Sequence, residues 1–141
     1  MIRERLKNCN GVFKGVANAC LLAHLRQKDP KKRLILSGED LANVGPVALL
    51  QDLAACAALG IESVERNGHH YFAGLSMYPA AVQARVLSDH GDLYRPAGDG
   101  WPTLAIGDGR LRLGSVNAAP FGVAPRIDVE QFTPLAAWRG R

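Results

Sequence analysis

The alternation of apolar and polar segments between residues 34 and 70 predicts a strand, a helix and a second strand. A short apolar run at 34–36 is followed by the polar cluster 37–40, and a second run at 61–64 is followed by the polar cluster 65–70. Between them, apolar residues recur at three- and four-residue steps over 46–59, which is typical of a helix. The pattern indicates a βαβ unit in which each strand is followed by polar residues.

The helix of this unit has clear end signals. Pro46 suits the first helical turn and Gly60 suits the position just beyond the last turn. Its apolar residues cover much of the circumference, so we expect the helix to be packed on two sides. Gln51 and Asp52 are predicted to mark its solvent-facing edge.

An earlier helix is predicted from Phe13 to Gln27, and Asp29-Pro30 ends it because a residue before proline is biased away from helical geometry. Its helical spacing predicts one buried face. That face comprises Phe13, Val16, Ala17, Cys20, Leu21 and Leu25.

The second half of the chain predicts a helix over Pro79–Ser88 and a hairpin over Thr103–Leu113. The hairpin has apolar positions alternating on both arms of a tight turn at Gly107-Asp108-Gly109. The proline-containing segment that follows is interpreted as an ordered arm ending at Trp138. We therefore divide the chain into a βα region, 1–100, and a closing hairpin with its arm, 101–141.

Composition narrows the class of protein. The 141 residues are 48% hydrophobic and 21% charged, as in globular domains, and contain no apolar run near the ~20 residues that cross a bilayer. The N-terminus lacks the apolar region of a signal peptide, which predicts a cytoplasmic protein without a membrane partner. The net charge of +4 comes mostly from scattered residues, which favours a solvated surface over a nucleic-acid partner. Three separated cysteines predict neither a disulfide framework nor a zinc site.

The two polar clusters carry the candidate chemistry. Since the carboxyl ends of adjacent parallel strands meet at one edge of a sheet, the loops there converge. A carboxylate that accepts a histidine ring N–H fixes the tautomer and raises the basicity of the ring, which creates a general acid/base. Alternatively, a carboxylate there could bind a divalent cation through oxygen. The residues concerned are Glu39, Asp40, Asn67, His69 and His70.

Each of these residues also has a structural interpretation. Asp40 could cap the following turn, and Glu39 could be an exposed loop carboxylate. Adjacent histidines point in different directions, so at most one of the pair would serve chemistry. Glu65 and Arg66 could form an ion pair at the end of the strand. His90 is interpreted as a loop residue.

The order of the segments resembles the carboxyl-terminal part of enolase-superfamily proteins of the mandelate racemase and muconate lactonizing enzyme type. Residues 40–47, the Ala/Leu-rich helix and 59–61 look like the family's sixth strand end, helix and entry to the seventh strand. Gly68-His69-His70 lies close to the family's catalytic histidine, a few residues later than usual. The segments 102–113 and 120–123 look like its closing hairpin and the segment that returns to the capping domain. The resemblance covers residues 13 to 138.

This resemblance implies the fold and the chemistry. The fold would be α/β, the C-terminal portion of a TIM barrel with a closing β-hairpin and C-terminal arm. His69 or His70 would remove the proton α to a substrate carboxylate, with Asp40 orienting the imidazole, and Arg66 or Asn67 would bind the substrate. Magnesium would stabilise the resulting enediolate, with Glu39 as a metal ligand in an alternative registration.

The resemblance also implies that parts are missing. A complete barrel needs about 250 residues, and the family's lysine-bearing strand and most of its metal ligands belong upstream. The first hypothesis is therefore a fragment of a hydroxy-acid or acid-sugar racemase or dehydratase, an isomerase or lyase that needs an upstream chain or a homo-oligomer for activity. The second is a non-catalytic remnant or interaction module that keeps part of the fold.

Overall fold

The computed structural model describes residues 3–6, 12–40, 43–66, 72–98, 100–123 and 132–139, with Gly68, Asp128 and Glu130. Its strands and helices alternate in the first half of the chain and then give way to a small antiparallel sheet. In chain order they are β1 (Arg3–Leu6), α1 (Val12–Lys28), β2 (Ile35–Asp40), α2 (Ala48–Ala58), β3 (Ser63–Arg66), α3 (Ala80–Asp89), β4 (Tyr94–Pro96), β5 (Pro102–Leu104) and α4 (Gly114–Ala118), with 3₁₀ turns at Pro120–Gly122 and Leu135–Ala137.

The first sheet is parallel and has the strand order β1-β2-β3. Strands β2 and β3 are in register from Ser37 opposite Ser63 to Asp40 opposite Arg66. The predicted parallel strand–helix–strand unit is therefore confirmed. Strand β1, which pairs with β2 from Arg3 opposite Ile35, was not predicted because its four residues show no apolar alternation. The partial barrel itself stays a prediction.

The boundary predicted at the end of the first strand is wrong. Glu39 and Asp40 belong to β2 and do not follow it, because pairing with β3 continues four residues beyond Leu36. The same holds for Glu65 and Arg66, which form the last two positions of β3. Cross-strand hydrogen bonding thus extends both strands into polar sequence that apolar periodicity assigns to loops.

Helix α1 exists as predicted, but the prediction of its buried face is wrong. Phe13 is 93% exposed and Leu21 is 50% exposed, whereas Leu22 on the opposite side is 3% exposed. Leu22 packs with Leu34 and Leu36 of the β2 segment in a small apolar cluster. The face that contacts the sheet is therefore the narrower one, built from small residues and a single leucine.

Helix α2 is packed on two sides, as predicted. Its Cys56 joins the small cluster beside the parallel sheet. Its Leu49, Leu50 and Leu53 belong to a larger cluster with residues of α3, the second sheet and α4. That larger cluster includes Val86, Leu93, Tyr94, Leu104 and Val116, so one core joins the chain on both sides of residue 100.

The second sheet corrects the predicted hairpin. Strand β5 pairs antiparallel with β4, from Tyr94 opposite Leu104 to Pro96 opposite Pro102, and not with residues 110–113. The tight turn predicted at Asp108-Gly109 is present: both residues have positive φ, 51° and 70°, as a type I′ turn requires. Leu111 and Leu113 pack against the core instead of forming a second strand. Helix α3 matches its prediction closely.

Candidate functional site

The carboxyl ends of β2 and β3 lie at one edge of the parallel sheet, with Asp40 opposite Arg66. This is the arrangement of strands on which the predicted acid/base site depends. The structure places the backbone of Glu39 and Asp40 at this edge. Their side chains, together with Asn67, His69 and His70, lie outside the described residues. The association of a carboxylate with an imidazole therefore stays a prediction.

Arg66 is the one predicted site residue whose side chain the structure describes. Its Nη1 forms an ion pair with Oδ2 of Asp52 on α2, and the two side chains are only 6% and 7% exposed. Its Nη2 also lies 3.9 Å from the Sγ of Cys56. The guanidinium thus points toward α2, while Glu65 of the same strand is exposed. A substrate that bound Arg66 would have to compete with the buried Asp52.

This ion pair overturns the prediction that Asp52 marks a solvent edge, since the residue is 5% exposed. A buried carboxylate is retained only where a charge partner and hydrogen bonds compensate its lost hydration. The partner comes from β3, fourteen positions along the chain, and helical periodicity carries no information about it. The pair joins β3 to α2 at the end of the strand where the candidate site lies.

An apolar crevice of about 520 Å³ lies between the segments that follow β2 and β3 in the chain. Its volume is in the range of small-molecule sites, which are mostly apolar with a few polar groups. Part of its wall comes from the start of α2 and the turn before it, and part from the segment before α3. The lining residues are Asn43, Val44, Gly45, Pro46, Val47, Ala48, Phe72, Met77, Tyr78 and Phe132.

Tyr78 contributes a phenol hydroxyl to the described wall of the crevice, which also includes Asn43. Burial raises the pKa of its phenol, so the hydroxyl stays protonated and can donate a hydrogen bond. Phe132 packs edge-on against the ring, with the centroids 6.0 Å apart and the planes at 84°. A Cβ at position 45 would overlap the Tyr78 hydroxyl, which explains the glycine there. Sequence reasoning did not find Tyr78, because no spacing rule links it to Gly45.

A second polar cluster joins α3, β4 and α4, and sequence reasoning missed it as well. His90 lies in the turn after α3, as predicted for a loop residue, but it is fully buried. Its Nδ1 lies 2.8 Å from Ser115 Oγ, and that hydroxyl donates to Oδ1 of Asp92. The backbone N–H of Ser115 donates to Oδ2 of Asp92 at 3.0 Å. Ser115 lies more than twenty positions from His90 and Asp92, so only the fold brings it to them.

The electrostatics of this cluster fit a structural role. Burial lowers the pKa of His90, although the charges of Asp89 and Asp92 oppose the shift. Burial alone would raise the pKa of Asp92, but hydrogen bonds from Ser115 lower it below its ordinary value. The serine proton is directed at an ionised carboxylate, and the neutral imidazole then donates to Oγ. A nucleophilic serine needs the opposite arrangement, with the imidazole accepting its proton.

The described part of the chain contains no group of three or more His, Cys, Asp or Glu side chains that could hold a metal ion. It also contains no helix with the length and apolar character needed to cross a lipid bilayer. Comparison of the chain with protein-family models, curated proteins and solved structures found no match in any of the three. The resemblance to the enolase superfamily accordingly depends on the order of segments alone.

Proposed function

We propose that the crevice binds a small carboxylate substrate, and that this chain is the C-terminal part of an enolase-superfamily enzyme with a TIM-barrel fold. The observation that carries the proposal is the geometry of β2 and β3. The two strands are parallel, adjacent and in register at their carboxyl ends, and the segments that follow them line an apolar crevice of about 520 Å³. In α/β proteins such crevices are where ligands bind.

In this proposal the chemistry is proton transfer at the carbon next to the substrate carboxylate. His69 or His70 takes the proton, and Asp40 accepts the other ring N–H and so holds the imidazole in the required tautomer. The apolar walls exclude water, which strengthens the hydrogen bonds made inside. Tyr78 stays protonated and donates to a substrate oxygen, while Asn67 and Arg66 are the further candidates for substrate binding. Racemisation or dehydration of a hydroxy acid or acid sugar follows.

Magnesium would supply positive charge beside the substrate carboxylate. The described side chains do not form a site for it. We propose Glu39 as the one ligand from this chain, with the remaining ligands supplied by an upstream chain or a second copy. We also propose that the protein is cytoplasmic and does not bind nucleic acid.

The test is exchange of the α-hydrogen of hydroxy acids and acid sugars in deuterated water, followed by nuclear magnetic resonance with magnesium present. We expect exchange with the full chain supplemented by an upstream fragment, and loss of exchange in the His69→Ala/His70→Ala variant. His24→Ala, on the exposed side of α1, is the matched control and should retain it. Absence of exchange, combined with absence of magnesium binding by calorimetry with and without the fragment, contradicts the proposal.

A second candidate function is a non-catalytic interaction module, and the exposed face of α1 favours it. Phe13, Val16 and Leu21 are each at least 45% exposed. Exposed apolar patches of this kind mark interaction surfaces. The helix carries no acidic residue, which favours a partner protein whose apolar surface has an acidic rim.

Phe13→Ser/Leu21→Ser separates the two functions. If both functions exist, this double variant should no longer capture a protein whose apolar surface has an acidic rim. Its α-hydrogen exchange should be unchanged. Gln27→Ser, at the exposed end of the same helix, is the control. If the parent chain, the double variant and the control capture the partner equally, the interaction module is ruled out.

A further inference from the structure

A second groove, of about 870 Å³, lies beside the small antiparallel sheet and shares no lining residue with the crevice. One wall comes from residues 91–95 and the other from residues 105–112. Backbone hydrogen bonds hold the walls in place: Ala105 N donates to Leu93 O at 2.8 Å, and Gly107 and Arg110 exchange bonds of 3.0 and 2.9 Å. The groove is therefore preorganised, which reduces the entropy lost when a ligand binds.

Three guanidinium groups line this groove, those of Arg95, Arg110 and Arg112. All three residues are exposed, and within the described part of the chain none of their side chains takes part in a hydrogen bond or ion pair. Leu111 and Leu113 pack against the core. Exposure alternates along this segment, with Arg110 and Arg112 exposed and the two leucines half-buried, which places the two arginines on the same, outer side.

The groove also contains two carboxylates. Asp92 accepts two hydrogen bonds from Ser115, so its charge is engaged by protein donors. Asp108 occupies the tip of the type I′ turn. The lining of the groove thus contains three arginines and two carboxylates, and one of the carboxylates is already hydrogen-bonded. Ile106, which is 48% exposed, supplies an apolar surface beside these charges.

We propose that this groove binds a phosphate monoester of a small organic molecule. Arg95, Arg110 and Arg112 hold the phosphate oxygens, because a guanidinium presents paired N–H donors that match phosphate bidentately. Ile106 contacts the organic part. This site shares no residue with the proposed catalytic crevice and does not depend on the activity proposed there.

The experiment is calorimetric titration of the full chain with phenyl phosphate, inorganic phosphate, benzoate and a short single-stranded oligonucleotide. We expect saturable one-to-one binding of phenyl phosphate, weaker binding of inorganic phosphate and little binding of benzoate. Arg110→Gln/Arg112→Gln should weaken phenyl phosphate binding by at least about tenfold, since charge-assisted hydrogen bonds are lost. Arg110→Lys/Arg112→Lys keeps the charge but loses the bidentate geometry, and we expect it to weaken binding as well.

The control for charge alone is Lys31→Gln/Arg33→Gln, which removes two exposed positive charges outside the groove. It should bind phenyl phosphate as the parent chain does, and circular dichroism checks that each variant is folded. Equal weakening in the control and the groove variants overturns the proposal, because the effect would then be nonspecific attraction. Binding of the oligonucleotide without binding of either monophosphate, or no saturable binding at all, also overturns it.

Discussion

Helices α1 and α2 both follow strands of the parallel sheet, yet they are buried very differently. Helix α2 lies between two apolar clusters, and six of its eleven residues are buried. Helix α1 buries Gly15 and Leu22 out of seventeen and exposes the wider apolar face. The two helices therefore contribute unequally to stability: α2 links the parallel sheet to the larger apolar cluster, whereas α1 packs against β1 and β2.

This difference shows what amphipathic periodicity does and does not determine. Periodicity predicts that a helix has an apolar face, but the face that becomes buried depends on which partner surface is available. For α2 both sides have partners. For α1, none of the described residues covers the wider face, and this exposure supports the interaction module as the second candidate function.

Among the substitutions that test the unequal roles of α1 and α2, we expect the largest loss of stability at Asp52 on α2. Asp52→Ala removes the carboxylate partner of the buried Arg66 guanidinium. We expect the free energy of unfolding to fall by about 3–5 kcal/mol, measured by urea denaturation. Asp89→Ala removes the exposed pair with Arg85, 3.3 Å apart, and should cost no more than about 0.5 kcal/mol. Similar losses in the two variants contradict the structural role assigned to the buried pair.

The apolar residues of the two helices should differ in the same direction. Leu50→Ala creates a cavity at a fully buried position of α2, and we expect a loss of about 2–5 kcal/mol. Leu21→Ala on α1 starts from a side chain that is half exposed and should cost less than about 1 kcal/mol. Urea denaturation of both variants measures the difference. If Leu21→Ala proved the costlier change, the orientation of α1 would be wrong.

A smaller effect is expected from His90, the buried residue in the turn after α3. Burial lowers the pKa of His90 below its ordinary value of 6.5. Below about pH 6.5 the His90 imidazole of the unfolded chain takes up a proton more readily than that of the folded chain. The free energy of unfolding therefore falls as the pH drops below that value. One such group contributes at most about 1.4 kcal/mol per pH unit.

His90→Gln should make the decline in stability between neutral and mildly acidic pH shallower, as measured by denaturation at several pH values. His24→Gln, on exposed α1, is the matched loss of one imidazole. Equal slopes in the parent chain and the His90 variant would show that this residue does not control the acid sensitivity.

The smallest effect is expected at Phe13, which is 93% exposed. Phe13→Ser should change the free energy of unfolding by less than about 0.5 kcal/mol. If stability is unchanged while the thermal midpoint of the parent chain rises with protein concentration and that of the variant does not, α1 is an association surface between copies. A loss comparable with that of Leu50→Ala would mean that Phe13 is buried in solution.

Helices and turns were predictable from the sequence where the residues that specify them are close together in the chain. Helix α2 was predictable from Pro46, Gly60 and the apolar repeat between them. The type I′ turn was predictable from the Asp108-Gly109 pair. The partner of a strand was harder to predict: β5 pairs with β4 across residues 97–101, although Leu111 and Leu113 alternate equally well. Long-range polar contacts carried no sequence signal. The helical pattern predicted that Asp52 faces solvent, because it does not show that Arg66 is its charge partner. Ser115 and His90 are 25 positions apart, and no sequence pattern links them.

The buried pair between Asp52 and Arg66 has a consequence for how the sequence can diverge. Loss of either charge leaves the other buried beside α2, whereas replacing both with apolar residues of similar volume is close to neutral. Among homologues, positions 52 and 66 should accordingly change together, as contacting positions do. A relative whose loop sequences differ could still be recognised by paired substitutions at these two positions.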